Sequence, residues 1–126
     1  MRIFKTKVFI KFAKGDQISD SMLCEAVERA EKGLVDADLG GYVIKQRVAR
    51  EGQGRSKGYR VLIAFKHEKR SIFIYGFAKN ERDNISNKQL EMMKEIASMW
   101  LNLDTKMITL ALKEDKLVEI KYAKKN

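Results

Sequence analysis

The stretch "GYRVLIAFKHEKRSIFIYGFA", residues 58–78, decides the fold. It contains two apolar runs of strand length, and both are rich in β-branched and aromatic side chains. The polar "HEKR" between them, residues 67–70, is too short to hold a crossover helix. The two runs are therefore predicted to pair as antiparallel strands.

A third strand-like run, "YVIKQRVAR" at residues 42–50, precedes this pair. It is joined to the pair by "EGQGRSKGYR", residues 51–60, which places three glycines and three cations in one hairpin connection. The three runs predict an antiparallel meander. In the last run, strict alternation places Ile72, Ile74 and Ala78 on one face and Phe73, Tyr75 and Phe77 on the other.

Helix-start signals lie on both sides of the meander. Ser86 followed by Gln89 has the spacing of a capping box, and side chains able to cap a helix also occur before three other amphipathic stretches. These residues are Thr6, Ser19 and Asp104. Short strands are indicated at residues 3–5 and in "KLVEIKYAKKN", residues 116–126. The predicted class is α+β, with N-terminal helices, a three- to four-stranded antiparallel sheet and C-terminal helices.

Composition limits the possible functions. A chain of 126 residues is most simply one domain, 1–126, and its apolar runs are too short to cross a membrane. No signal-peptide pattern occurs at the start, so a cytoplasmic location is expected. With Cys24 as the single cysteine and His67 as the single histidine, no internal disulfide or cysteine-based zinc site is expected. No metal and no cofactor are predicted.

Positive charge is concentrated in the meander. The chain carries a net charge of +9, and residues 40–82 hold eleven cations against three anions. Like charges packed together destabilise a fold unless counter-charge arrives, so a polyanionic partner is expected, with nucleic acid first. The glycines do not follow the spacing of a Walker phosphate loop, and a strand follows them instead of a helix.

Adjacent strands are predicted to bring seven side chains toward one face and one edge, where Tyr75 with Phe73 or Phe77 could stack on a base. They are Arg47, Arg50, Arg55, Arg60, Tyr75, Lys79 and Glu81.

The segments "IKQRVAREGQGRSKGYRVLIAF" and "IFIYGFAKNERDNISNKQL", residues 44–65 and 72–90, resemble the RelE/ParE superfamily of bacterial toxins from toxin–antitoxin pairs, in its RelE-like and HigB-like branch. This resemblance spans about residues 39–101, and by comparison the part from about 104 to 126 is a C-terminal extension.

The resemblance implies a small toxin that enters the ribosomal A site and cuts translated mRNA without a metal. The ribose 2′-OH would attack the adjacent phosphate, leaving a 2′,3′-cyclic phosphate and a free 5′-OH. Many relatives have Gly-Gly where this chain has Lys57-Gly58, so Arg55 fits the family's basic position better than Lys57 does.

Such an attack needs stabilisation of negative charge and two proton transfers. Arg60, together with Arg47 and Arg50, is predicted to hold the phosphate, because guanidinium groups stay charged and bind phosphate oxygens in pairs. Glu81 or Lys79 is the candidate base, and Tyr75 would orient or donate a proton. The candidate catalytic residues are Arg60, Lys79, Glu81, Arg55 and Tyr75. The candidate RNA-binding residues are Arg47, Arg50, Lys57 and Arg82.

The resemblance also implies three partners: the ribosome, mRNA and a neutralising antitoxin. The antitoxin often has a helix-turn-helix domain, and this toxin would contact operator DNA only through it. Two alternatives stay open. A ParE-like toxin would inhibit DNA gyrase by binding, and a noncatalytic RNA-binding module would need only the charged surface.

Overall fold

The structure, a computed structural model, describes residues 1–50, 54–79 and 85–121, with the side chains of residues 50 and 54–57 outside that description. Within these residues one six-stranded sheet carries two helices on each face. The elements in chain order are β1 (Arg2–Thr6), α1 (Lys7–Gly15), α2 (Asp20–Glu31), β2 (Ala37–Asp38), β3 (Val43–Arg50), β4 (Gly54–Lys66), β5 (Arg70–Ala78), α3 (Asn87–Asn102), α4 (Thr105–Lys113) and β6 (Leu117–Ile120).

Each of these helices begins at the residue that the sequence predicts. A capping side chain accepts a hydrogen bond from a backbone N–H of the first turn, which satisfies one of the donors left unpaired at a helix start. At α3 the capping box is complete, because the side chains of Ser86 and Gln89 each bond the other residue's backbone N–H. The four N-cap residues are Thr6, Ser19, Ser86 and Asp104.

The strand order is β2-β3-β4-β5-β1-β6, and β3, β4 and β5 form the predicted antiparallel meander. The α+β class is confirmed. The sheet is larger than the three or four strands expected, because β1 pairs with β5 in parallel and β6 then pairs with β1. The short strands expected at residues 3–5 and within residues 116–126 are present as β1 and β6. Only β2, which has two residues, shows no strand pattern in the sequence.

The hairpin between β3 and β4 is tighter than the sequence indicates. β4 begins at Gly54, which pairs with Arg50, so the "GRSKG" segment lies in the strand and not in a long turn. No apolar alternation marks residues 54–57, and this explains why sequence reasoning assigned them to a loop.

Successive residues of β4 face two different cores. Val61 and Ile63 pack with α1 and α2 on one side, and Leu62 packs with α3 and α4 on the other. We call these sides the α1/α2 face and the α3/α4 face. By the same alternation, Arg60 lies on the α3/α4 face, one position beyond the apolar part of that core.

A β-bulge in β5 overturns the predicted alternation. The register shifts between Leu62 and Ile63, which pair with Tyr75 and Phe73, so Ile74 is the extra residue. Phe73 therefore packs on the α1/α2 face, whereas Ile74 and Tyr75 pack with the α3/α4 core. The single-residue insertion separates aromatic side chains that strict alternation places together.

Gly76 allows α1 to approach β5. A Cβ atom at this position would overlap Cε2 of the Phe12 ring, well inside the contact distance of two carbon atoms. The Phe12 ring also packs edge-on against Phe9 and Tyr59, with centroid separations of 5.8 Å in both cases. The glycine is thus required by packing and not by backbone conformation.

The C-terminal residues join the sheet. Leu117 and Ile120 of β6 are buried, and Ile108 of α4 lies in the α3/α4 core. Within the described ranges, none of the helices combines the length and the apolar character that a membrane crossing needs.

Candidate functional site: an arginine pair on the α3/α4 face

Two of the predicted phosphate-binding residues lie directly opposite each other. Arg47 of β3 pairs with Arg60 of β4, and Arg60 in turn pairs with Phe77 of β5. Directly opposed residues of an antiparallel pair have Cβ atoms about 5 Å apart and project to the same side of the sheet. The fold therefore places two guanidinium groups side by side on the α3/α4 face, and we call them the arginine pair.

Arg60 is held in an unfavourable environment for a cation. Its residue exposure is only 7 %, and its Nη1 donates to the Tyr59 carbonyl at 3.4 Å. Burial lowers the pKa of Arg60 below its ordinary value, the charge of Arg47 lowers it further, and Asp36 opposes both effects. An arginine still remains protonated at neutral pH, so Arg60 is a buried cation.

Arg47 is half exposed and is fixed at its base by Asp36. The Asp36 carboxylate accepts from the Arg47 backbone N–H at 2.7 Å and from its Nη2 at 3.0 Å. Arg29 of α2 adds an ion pair to the same carboxylate at 3.3 Å and donates to the Arg47 carbonyl. Asp36 and Arg29 together thus fix the backbone position of Arg47, and Asp36 also fixes the direction of its side chain.

Asp36 is ionised more readily than an ordinary aspartate. Burial disfavours its charged form, but hydrogen bonds from the Arg47 backbone and side chain, with the charges of Arg47 and Arg29, outweigh that effect and lower the pKa of Asp36. The carboxylate therefore balances part of the local positive charge throughout the neutral range.

Sequence reasoning missed Asp36 and Arg29. Both precede the basic segment, so a count restricted to residues 40–82 does not include them. The "DAD" segment at residues 36–38 was the one sign of acidic side chains close before the basic segment. It lies beside β3 because Ala37 pairs with Lys45. Only the pairing of β2 with β3 makes Asp36 a neighbour of Arg47.

The aromatic candidates differ in accessibility. Phe73 is fully buried on the α1/α2 face and Phe77 is 4 % exposed, so neither presents an open ring. Tyr75 is half-buried and lies diagonally across from Arg60, with its ring centroid 6.3 Å from that of Phe77. Of these three rings, Tyr75 is the one with surface to offer beside the arginine pair.

Lys79 follows β5 at the same end of the sheet. Its backbone N–H donates to the Gly58 carbonyl at 3.2 Å, and its side chain is exposed. Gly58 immediately precedes Tyr59 and Arg60 on β4. Lys79 thus lies two residues beyond Phe77, the partner of Arg60.

The remaining candidates are located by backbone alone or not at all. Arg50 ends β3, and Arg55 and Lys57 lie in the first part of β4, at the same end of the meander as the arginine pair. Glu81 and Arg82 lie outside the described residues. In the part of the chain that the structure describes, no three His, Cys, Asp or Glu side chains are grouped so that they could hold a metal ion.

The family model for the RelE toxin of the RelE/RelB toxin–antitoxin system matches residues 1–120 of this chain. This chain belongs to the RelE toxin family. A comparison with curated proteins gives no match. The family match includes α4 and all of β6, the elements that follow residue 104.

Membership of the RelE family gives the arginine pair a context. A toxin of a toxin–antitoxin system has a cognate antitoxin as its partner. Among the described residues, Arg47 and Arg60 pair across β3 and β4, and Lys79 follows β5 at the same end of the sheet. The pair combines a buried guanidinium, that of Arg60, with a half-exposed one, that of Arg47.

Proposed function

We propose that this RelE-family chain is a ribosome-dependent mRNA endonuclease that inhibits translation by cutting mRNA in the A site. The observation that carries the proposal is the cross-strand pairing of Arg47 with Arg60 on one face of the sheet. Two guanidinium groups held by separate strands are suited to bind two non-bridging oxygens of one phosphate. The resemblance of residues 44–65 and 72–90 to RelE-like and HigB-like toxins supports the same assignment.

The proposed reaction is an internal transesterification. The 2′-oxygen forms a bond to phosphorus, the bond from phosphorus to the 5′-oxygen breaks, and the products carry a 2′,3′-cyclic phosphate and a 5′-OH. Negative charge grows on the non-bridging oxygens in the transition state. Arg60 is the principal stabiliser of that charge, because a donor that is already desolvated and fixed needs little reorganisation when the charge develops.

Two protons must move during this reaction. The 2′-OH proton passes to a base, for which Lys79 and Glu81 are the two candidates, and the 5′-oxygen takes up a proton as it leaves. Tyr75 orients the nucleotide or donates the second proton, in keeping with its half-exposed position beside the arginine pair. No metal or cofactor enters the proposed scheme.

The other basic residues extend the RNA-binding surface along the meander. Arg55 is assigned to the catalytic set, and Arg50, Lys57 and Arg82 to contacts with the RNA backbone, which fix register without reading sequence. The proposed partners are the ribosome with its mRNA and an antitoxin with a helix-turn-helix domain. Operator DNA would be reached through that antitoxin alone, and the site of action is the cytoplasm.

The decisive experiment maps RNA ends in a reconstituted translation system. Wild-type protein is expected to cut a translated transcript and to leave the same transcript intact when its start codon is removed. Arg60→Ala is expected to lower the rate of cutting by at least about 100-fold, as when other enzymes lose a group that stabilises the transition state. Lys32→Ala removes an exposed cation after α2 and serves as the matched control.

Each alternative function predicts a result of its own. Expression of the chain in cells supplies the gyrase test: growth inhibition with intact messages, DNA breaks and an SOS response would replace the endonuclease assignment by gyrase inhibition. RNA binding that falls in Arg60→Ala, without any cutting by the wild-type protein, would replace it by a noncatalytic RNA-binding role.

A further inference from the structure

A second surface lies at the opposite end of β3 and β4 from the arginine pair. An open pocket of about 480 Å³ is formed by the turn before β3 and the end of β4. Tyr42, in that turn, is five residues from Arg47, which corresponds to about 17 Å along an extended strand. The lining residues are Val35, Asp38, Gly40, Gly41, Tyr42, Ile44, Phe65 and His67.

Tyr42 adopts a backbone conformation that disfavours its own side chain. Its φ angle is +64°, and it follows two glycines whose φ angles are +84° and +58°. Glycine takes this left-handed conformation freely, whereas a bulky aromatic residue does so at a cost. Hydrogen bonds fix the turn, since Val43 N–H donates to the Gly40 carbonyl at 3.0 Å and Phe65 N–H donates to the Tyr42 carbonyl at 2.9 Å.

Burial does not repay that cost, because Tyr42 is 60 % exposed. An exposed tyrosine at a position suited to glycine weakens the fold while presenting an aromatic ring at the mouth of a pocket. Strain that the surroundings maintain is typical of binding sites. The conformation therefore points to a role for the ring outside the protein's own core.

Three planar side chains line the pocket. The Nζ atom of Lys66 lies over one face of the Tyr42 ring, 5.7 Å from its centroid, and this leaves the other face for a second partner. The rings of Phe65 and His67 have centroids 6.3 Å apart. Aromatic rings of this kind can stack on any nucleobase, because every base has a planar aromatic face.

Charged groups around the pocket match the remaining parts of a nucleotide. Oδ1 of Asp38 accepts the Gly40 N–H at 2.9 Å, which fixes a carboxylate in the lining. A carboxylate accepts hydrogen bonds from base N–H groups, and the ammonium group of Lys66 beside the Tyr42 ring attracts phosphate.

We propose that this pocket binds an unpaired nucleobase of RNA, with guanine favoured, by stacking on Tyr42 and hydrogen bonding to Asp38. Guanine presents adjacent N–H donors on its Watson–Crick edge, and a carboxylate can accept both. The adjoining phosphate contacts Lys66. This binding does not depend on cleavage, so it holds or fails separately from the proposed endonuclease activity.

Amide NMR spectra of the ¹⁵N-labelled full chain test the site directly. Guanosine 5′-monophosphate is expected to shift the Tyr42, Phe65 and His67 signals in a saturable manner, whereas ribose 5-phosphate leaves them in place. If both ligands shift these signals equally, the site recognises phosphate alone and the proposal fails. If Nα-acetylarginine amide shifts them and the nucleotide does not, the pocket takes a basic side chain of a protein partner, and the proposal also fails.

The variant Tyr42→Gly separates the ring from the fold. It is expected to unfold at the same or a higher denaturant concentration than wild type, because glycine relieves the strain at this φ angle. It should bind a short unstructured RNA about fivefold or more weakly, while its affinity for the abasic analogue of that RNA stays unchanged. Tyr42→Phe should restore binding because the ring is retained.

The matched control is Val8→Ala, which alters a side chain that is 65 % exposed on α1 and lies away from the pocket lining. It should leave both RNA affinities unchanged. Unchanged RNA affinity in Tyr42→Gly would overturn the stacking proposal. A loss of stability in Tyr42→Gly would show that the ring supports the fold, and would overturn the strain argument that leads to the site.

Discussion

The two faces of β4 differ in what they bury. On the α1/α2 face, Val61 and Ile63 contribute to an apolar core that also contains Phe73. On the α3/α4 face the same strand contributes Leu62 and then Arg60, which is almost as deeply buried but carries a charge next to a second arginine. One face buries only apolar side chains of this strand, and the other also buries a cation whose pKa is lowered by burial and by the neighbouring Arg47.

The largest expected effect is on stability at the α1/α2 face. Phe73 is fully buried, and its ring lies 5.1 Å from that of Phe9. Phe73→Ala is expected to lower the free energy of unfolding by about 3–5 kcal/mol, from lost apolar burial and the cavity left behind. Urea denaturation measures it, with the exposed Val118→Ala as the control. A loss below about 1 kcal/mol would contradict the assigned role of this core.

The next effect should appear in activity and not in stability. Arg60→Met keeps much of the side-chain volume and removes the buried charge. Cleavage of translated mRNA is expected to fall by about 100- to 1,000-fold, because a stabiliser of the transition state is lost. The unfolding midpoint should move less than in Phe73→Ala, because burial and the charge of Arg47 both disfavour the Arg60 cation.

Arg2→Met is the matched control for this comparison, because Arg2 forms an exposed ion pair with Glu119 on β6. It should retain cleavage. A large loss of stability in Arg60→Met, with activity reduced only in proportion to the folded fraction, would make Arg60 a structural residue and remove the contrast between the faces.

A smaller loss of stability is expected where α1 meets the sheet. Gly76→Ala introduces a Cβ that overlaps the Phe12 ring, and overpacking of this kind costs about 1–3 kcal/mol. Gly15→Ala is the control, because a Cβ there meets no atom within 4 Å. Thermal or urea unfolding compares the two. Equal behaviour would show that Phe12 moves aside and that the contact does not define the α1/α2 face.

The smallest effect concerns Asp36 and depends on pH. The native pKa of Asp36 is below its ordinary value of 3.8, so the carboxylate adds stability above that pH and the contribution is lost as the pH falls through the lowered value. Asp36→Asn should cost about 1 kcal/mol at pH 7. Because protonation of the wild-type carboxyl removes the same interaction, the difference between variant and wild type should shrink in acid.

Urea unfolding at neutral and acidic pH tests this expectation. The control is Asp20→Asn, since Asp20 lies in a more exposed ion pair with Lys5 and should show little difference at either pH. A constant gap between Asp36→Asn and wild type at all pH values would mean that the carboxylate charge does not fix Arg47.

Local signals predicted the helices well. Thr6, Ser19, Ser86 and Asp104 all begin helices, because capping depends on a few adjacent backbone groups that the sequence itself specifies. The antiparallel meander was also predictable, since its connections are too short for any other topology. The sequence predicted that Arg60 and Arg47 lie near each other on neighbouring strands. It did not predict that they pair directly, because the register of two strands cannot be derived from the sequence of one.

Features that join distant segments were not predictable. The bulge at Ile74 sends Phe73 and Tyr75 to different cores, although their spacing in the sequence indicates a shared face. Asp36 is a partner of Arg47 only because the two-residue β2 pairs with β3. The sequence "GGYVI", residues 40–44, also does not indicate that Tyr42 adopts a left-handed conformation beside a pocket.

The sequence by itself determined where the helices begin, the antiparallel meander and the excess of positive charge. These features depend on neighbouring residues and on composition. Tertiary structure alone decided which charges meet and which rings stay accessible. Both depend on strand register and on β-bulges, and a shift of one residue reverses every side chain that follows it. That geometric sensitivity is why the arginine pair and the Tyr42 pocket had to be located in the folded chain.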